Sequence, residues 1–168
     1  MNKIILGLMS AVLLISPAFA QTDEGETGLS VPRMVSLRSK QVNARSGPGA
    51  RYPIEWVYKE AADFPVEIIA EFELWRKIRD WEGSESWVHK AMLNSNRKVR
   101  VMTPGQNNLY VNPDDKARII AKVEDGAGGR VQKCPAGEAF CKVKFNSVEG
   151  WIPRADVFGV YEKEEIKD

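Results

Sequence analysis

From Trp75 onward the side chains alternate with a period of two. Trp75, Lys77 and Arg79 fall on one face and Arg76, Ile78 and Asp80 on the other, the spacing of a half-buried strand. Glu82-Gly83 supplies a turn and Trp87-Val88 a returning strand, so the stretch predicts a β-hairpin. Lys90-Ala91-Met92-Leu93 closes it with a single helical or 3₁₀ turn. The order then recurs further along the chain. Cys141, Val143 and Phe145 alternate with Lys142 and Lys144, a turn covers Asn146 to Glu149, Gly150-Trp151-Ile152 returns, and Pro153-Arg154-Ala155-Asp156 stands where the closing turn stood. The hairpin is an internal repeat.

The segments around each hairpin are also extended. Val35 to Arg38, Val42 to Arg45, Ile54 to Tyr58 and Phe64 to Phe72 lead into the first copy. Arg97 to Met102, Asn108 to Pro113, Ile119 to Val123 and Arg130 to Lys133 lead into the second. Short strands divided by Gly and Pro, with no long 3.6-residue periodicity, predict an all-β protein of two tandem small β-barrels with short 3₁₀ turns. The first barrel is expected over residues 34–94 and the second over 95–161, with Asn94-Ser95-Asn96 as a polar linker. Units this small bury little core alone, so the two are expected to pack on each other. Residues 21–33 read as a mobile leader and 162–168 as a charged, solvated tail.

Residues 1–20 carry a different pattern. Lys3 precedes an apolar run from Ile4 to Ile15, and Ala18-Phe19-Ala20 ends it with small residues around one bulky one. This is the form of a cleavable signal peptide cut after Ala20; the run is too short to span a bilayer, which takes about 20 residues. The expected location is periplasmic or secreted, without membrane insertion. Loss of Lys3 brings the 24 Lys and Arg of the whole chain level with its 23 Asp and Glu. A balanced charge lacks the cationic surplus that nucleic acid or anionic lipid demands, so no nucleic-acid partner is expected. Export also bears on Cys134 and Cys141, the only cysteines in the sequence. An oxidising compartment turns a close pair into a bridge, and the Pro-Ala-Gly of the intervening loop reads as a turn. A disulfide across the neck of a hairpin is predicted. A redox thiol would call for a Cys-x-x-Cys or Cys-His setting, which the chain lacks.

The run Val42-Asn43-Ala44-Arg45-Ser46-Gly47-Pro48-Gly49, followed by Tyr52-Pro53, Pro65 to Ile69, Trp75 to Asp80 and Trp87-Val88-His89-Lys90, resembles the bacterial SH3 domain. The second copy is similar. It retains Gly150-Trp151-Ile152, while Leu109 to Asp114 lacks the Arg-Ser-Gly-Pro loop; Ser86 and Phe140 stand where the family usually has Gly and Trp. The resemblance implies tandem SH3-like barrels and a binding module of the cell envelope, often directed at peptidoglycan or its peptides.

Catalysis finds little support in the residues. Nucleophilic or acid-base chemistry needs a base with an orienting partner, and the single histidine, His89, stands in a Trp-Val-His-Lys context that suits a surface residue capping the barrel. One His and a bridged cysteine pair leave only carboxylates for a metal, and Asp114-Asp115 lacks the spacing of a calcium loop. No catalytic residue, metal or cofactor is expected. Aromatics carry the binding signal. Trp56, Trp75 and Trp87 are expected to fill the barrel core. Trp81, in the hairpin turn, either folds back on the neighbouring domain or faces a ligand. The site expected is a groove in the first barrel bordered by Arg45, Tyr52 and Trp81, taking peptidoglycan, its stem peptides or, as the alternative, a peptide of another envelope protein bound by a structural adaptor.

Overall fold

The computed structural model describes residues 23–167; the expected signal peptide lies outside these residues. The described chain is built from sixteen short strands and two 3₁₀ turns. β1 (Asp23–Glu24) and β2 (Ser30–Val31) form a small hairpin. β3 (Arg33–Leu37), β4 (Gln41–Arg45), β5 (Ile54–Lys59), β6 (Pro65–Phe72), β7 (Trp75–Arg79), β8 (Glu85–His89) and β9 (Leu93–Asn94) make the first domain. β10 (Lys98–Val101), β11 (Gln106–Tyr110), β12 (Ile119–Glu124), β13 (Gly128–Lys133), β14 (Phe140–Phe145), β15 (Val148–Pro153) and β16 (Val157–Phe158) make the second. The 3₁₀ turns Lys90–Met92 and Arg154–Asp156 precede the last strand of each.

The two sheets have the same topology. Their orders are β5-β4-β8-β7-β6-β3-β9 and β12-β11-β15-β14-β13-β10-β16, identical once the second is matched to the first in sequence order, and the end strands of each are not paired with one another. Register agrees as well. Arg45 faces Trp87 where Tyr110 faces Trp151, and the irregularity between Ile68 and Ala70 recurs between Val131 and Lys133. The amide of Leu37 donates to Phe64 and that of Val101 to Ala127 at the same point of each domain. Trp87 and Trp151 are therefore equivalent, as the repeat predicts.

Alternation accounts for the cores. On β7 and β8, Ile78 and Val88 are fully buried, and with Leu37, Val42, Ala44, Val66 and Ile68 they fill the first domain. Val99, Val101, Leu109, Val143 and Ile152 fill the second. Burying side chains of this size contributes about 1.5 to 3 kcal/mol each before ordering costs.

Both ends of the described residues hold fixed contacts with the domains, although a mobile leader and a solvated tail were expected there. Thr27 donates from its amide and hydroxyl to Glu71, and Gly25 approaches that carboxylate so closely that a Cβ would stand 2.4 Å from Glu71 Oε2. At the other end Ile166 exchanges both backbone hydrogen bonds with Cys134 at 2.9 Å, and Glu164 pairs with Arg97. The buried Arg154 donates to the carbonyls of Pro135, Glu138, Tyr161 and Glu164, fastening the tail to the cystine loop. Glu162, Lys163, Glu165 and Lys167 stay exposed, and Glu164 and Ile166 supply the fixed contacts.

The domains meet through specific contacts. The Tyr161 hydroxyl donates to Glu67 at 2.8 Å, Lys98 pairs with Asp63 at 3.1 Å, and Ser36 donates to the carbonyl of Asn96. Gly159, at φ 118°, lets the chain leave β16 between β10 and the first domain, since a Cβ there would meet the Lys98 carbonyl at 2.2 Å and the Pro65 Cβ at 3.0 Å.

Candidate binding surfaces

Arg45 ends β4 and turns its guanidinium back on the following loop, donating to the carbonyls of Ala50 at 3.0 Å and Tyr52 at 2.7 Å. The Tyr52 ring closes over Gly47, where a Cβ would fall 2.4 Å from a ring carbon, and the Arg51 guanidinium lies over the same ring, 5.3 Å from its centre. The Arg-Ser-Gly-Pro loop is thus held by its own residues. Glycine at 47 is needed for that ring to seat. Arg45 and Tyr52 come together as expected.

Trp81 does not join them. Its indole lies edge-on to Phe64 at 5.2 Å and 6.1 Å from Tyr58, and Arg100 of the second domain stacks over both Trp81 and Phe64 at 4.7 Å. The ring packs against its own domain and carries Arg100 of the neighbouring one. Asp80 makes this possible. Its buried carboxylate accepts from the amides of Glu82 and Ser84 and from the Tyr58 hydroxyl, shaping the turn that carries Trp81. Burial, together with the Asp80 carboxylate, pushes the Tyr58 hydroxyl up to about 12, so it stays a donor at neutral pH. Trp81 and Arg45 border separate depressions, the former beside Trp56, Tyr58 and Glu82.

A different surface gathers around Arg45. A depression of about 310 Å3 is lined by Gln41, Asn43, Arg45, Trp75, His89 and Met92. Trp75 and Trp87, expected in the core, are half-buried on the outer face. Each shares that face with Lys77, since Trp75 pairs with His89 and Lys77 with Trp87 across β7 and β8. Parity requires it. Ile78 and Val88 already occupy the inward positions, and odd-numbered neighbours must point the other way. His89 meets Trp75 edge to face at 5.4 Å, and its Nδ1 accepts the Ala91 amide at 3.2 Å, capping the 3₁₀ turn. Lys77 pairs with Glu85 at 2.6 Å; the hydrogen bonds from Lys77 and Arg79 hold the Glu85 carboxyl below its ordinary range.

The second domain repeats this face. Phe140 pairs with Pro153, Lys142 with Trp151 and Lys144 with Glu149, matching Trp75–His89, Lys77–Trp87 and Arg79–Glu85. Lys142 and Glu149 form the ion pair equivalent to Lys77–Glu85, and Tyr110 lies edge-on to Phe140 at 6.0 Å. Among the described residues no group of three or more His, Cys, Asp or Glu could hold a metal ion, and no helix is long and apolar enough to cross a membrane.

Two copies of one small all-β domain, each with an outward strip of aromatic and charged side chains, define a tandem SH3-like protein. The family model for the bacterial SH3 domain matches twice, over residues 38–94 and 104–159, and the chain belongs to that family. It is 23% identical over 162 residues to YrvJ of Bacillus subtilis (strain 168), named as an N-acetylmuramoyl-L-alanine amidase, covering 90% of this chain and 30% of that protein. The chain thus spans about a third of the curated relative it matches. Among solved structures it is similar to NlpC2 and NlpC1 from Trichomonas vaginalis, with TM-scores of 0.34, identities of 15% and 14%, and coverage of 76% of this chain against 48% and 45% of theirs.

Proposed function

We propose that the protein is an exported, non-catalytic binding module of the cell envelope that recognises peptidoglycan or its stem peptides through the outer face of the first domain. The observation that carries this reading is the depression bounded by Arg45, Trp75 and His89. An aromatic wall with a few polar groups beside it suits a sugar face or a short peptide. Membership of the bacterial SH3 family and similarity to a protein named as an amidase of the muramoyl-alanine bond support the ligand class. A non-catalytic role is supported by the occupation of the one histidine, whose ring is engaged by the Ala91 amide and Trp75. Arg45 remains at the rim of the site, Tyr52 braces it from the adjoining loop, and Trp81, which borders a separate depression, is left out of it.

The test is retention on purified sacculi. The protein should be pulled down, and Trp75→Ala should weaken retention about tenfold or more, the scale of an exposed aromatic hot spot. Absence of retention sinks the reading. One observation favours an adaptor instead: Ile54 and Ile119 occupy equivalent places on β5 and β12, the end strands of the two sheets, and both are 45% exposed. Such edges can accept a strand from a partner. Recovery of an envelope protein that is lost when Ile54 is replaced by Lys would select that reading.

A further inference from the structure

Three cations stand in register across adjacent strands of the second domain. Lys98 on β10 faces Arg130 on β13, and Arg130 faces Lys144 on β14. Directly opposed side chains on one face lie about 5 Å apart, and like charges so placed repel. The row continues to Glu149 on β15, whose carboxylate forms its ion pair with Lys142 and only feels the Lys144 charge from across the strands. Lys98 has Asp63 at 3.1 Å. Among the described residues, neither Arg130 nor Lys144 lies within ion-pair distance of a carboxylate.

The equivalent row of the first domain is neutralised. There Met34 faces Glu67, Glu67 faces Arg79 and Arg79 faces Glu85. Arg79 bridges Glu67 at 3.1 Å and Glu85 at 3.0 Å. One topology therefore carries an alternating row in one copy and a cationic row in the other. The cationic row is also the one that opens on a cavity. A cleft of about 480 Å3 between the domains is lined by Lys98, Arg130 and Lys144 together with Asp63, Phe64 and Asn146. With Asp63 as the single carboxylate against three cations, the lining has an excess of two positive charges.

We propose that this cleft is an anion site for a phosphoryl group, with Arg130 as the forked donor and Lys98 and Lys144 as flanking charges. A phosphoryl dianion matches the excess of two, and a guanidinium beside two ammonium groups is the donor set that suits it. A single carboxylate would leave the row half compensated. The group could belong to a free phosphate ester or to a lipid headgroup. The inference is independent of the outer-face reading, because no residue of the cleft lies in the Arg45 depression.

The experiment titrates the purified protein at fixed ionic strength and at about pH 6, where inorganic pyrophosphate and succinate each carry about two negative charges, with pyrophosphate, with succinate as the dicarboxylate control, and with vesicles of phosphatidic acid, whose headgroup is a phosphomonoester, in a phosphatidylcholine background. Saturable binding of pyrophosphate or the vesicles, weakened at least about tenfold in R130Q/K144Q and unchanged in K59Q on β5, supports the site. Response to pyrophosphate alone assigns a soluble ligand, and response to vesicles alone a headgroup. The same double variant should unfold at a higher temperature than the parent when no anion is present, since it removes the repulsion; a folding defect would lower it. No saturable signal from either probe, equal affinity in R130Q/K144Q, or equal affinity for succinate overturns the proposal.

Discussion

Glu71–Arg76 in the first domain and Cys134–Cys141 in the second occupy the same joint. Register makes Glu71 oppose Arg76 across β6 and β7. In the second domain Lys133 opposes Lys142, so the next pair out is the cysteines. One joint is an ion pair, with Arg76 Nε 3.0 Å from Glu71 and both side chains almost wholly covered. The other is a disulfide with Cα atoms 4.4 Å apart. Each is then covered by a chain end: β1, β2 and Arg33 reach Glu71, and Ile166 pairs with Cys134. The point at which these two strands leave the core therefore needs a clasp, and the chemistry of that clasp is interchangeable. A covalent clasp answers to redox state and an ionic one to pH and to the presence of both partners.

Removing one ion partner tests this most severely. Glu71→Ala leaves Arg33 and Arg76 facing a covered site without their carboxylate, and breaking a buried pair from one side costs about 3 to 5 kcal/mol. Urea unfolding should register a loss of that size together with release of the β1–β2 hairpin, seen as rapid amide exchange at Thr27. An effect under about 1 kcal/mol would mean that Glu71 is no clasp.

Next in size is the contrast between inward and outward positions of the shared hairpin. Ile78→Ala should cost about 2 to 5 kcal/mol, because that side chain has no solvent exposure and its loss leaves a cavity. Trp87→Ala, on the outer face, should cost well under half of that in the same thermal scan. A larger penalty for Trp87 would return it to the core.

The hairpins, the closing 3₁₀ turns and the disulfide were all legible in the residues, because each rests on spacing within about ten positions, and the repeat followed from finding that local order twice. The outward placement of Trp75 and Trp87 was legible too. Alternation with Ile78 and Val88 settles it, and ring size is the weaker argument. What could not be read was contact at long range. Thr27 and Glu71 lie 44 positions apart, and Trp81 meets its cation in the other domain. The equivalence of ion pair and cystine was hidden by loop length, because Glu71 and Arg76 close a shorter loop than the cysteines, which are 7 positions apart.

The covalent clasp should matter somewhat less than the core. Replacing both Cys134 and Cys141 by Ser removes a short closed loop, for which chain entropy gives about 2.5 kcal/mol. Ile166 still pairs with the Cys134 backbone, so the tail should remain docked while stability falls. The transplant is the sharper experiment. Glu71→Cys with Arg76→Cys should form a bridge resistant to alkylation, as equivalent geometry requires; two freely labelled thiols would show that the joints are not equivalent.

Acid should loosen only the ionic clasp. Burial by itself would push the Glu71 carboxyl up, but hydrogen bonds from Arg33 and Thr27 and the Arg33 charge outweigh it and hold the carboxyl down to about 2. A carboxyl at 4.5 in the unfolded chain and about 2 in the folded one contributes stability that is fully present above pH 4.5 and is lost as pH falls towards 2. The second domain holds a cystine at this position, which does not titrate. Amide exchange between pH 5 and pH 2.5, corrected for its intrinsic rate, should therefore show protection falling at Thr27 and along β6 while Cys134 and Ile166 keep theirs. Equal loss at both joints would mean that acid acts through the domain interface, for instance at Glu67 beneath Tyr161, and not through the clasp.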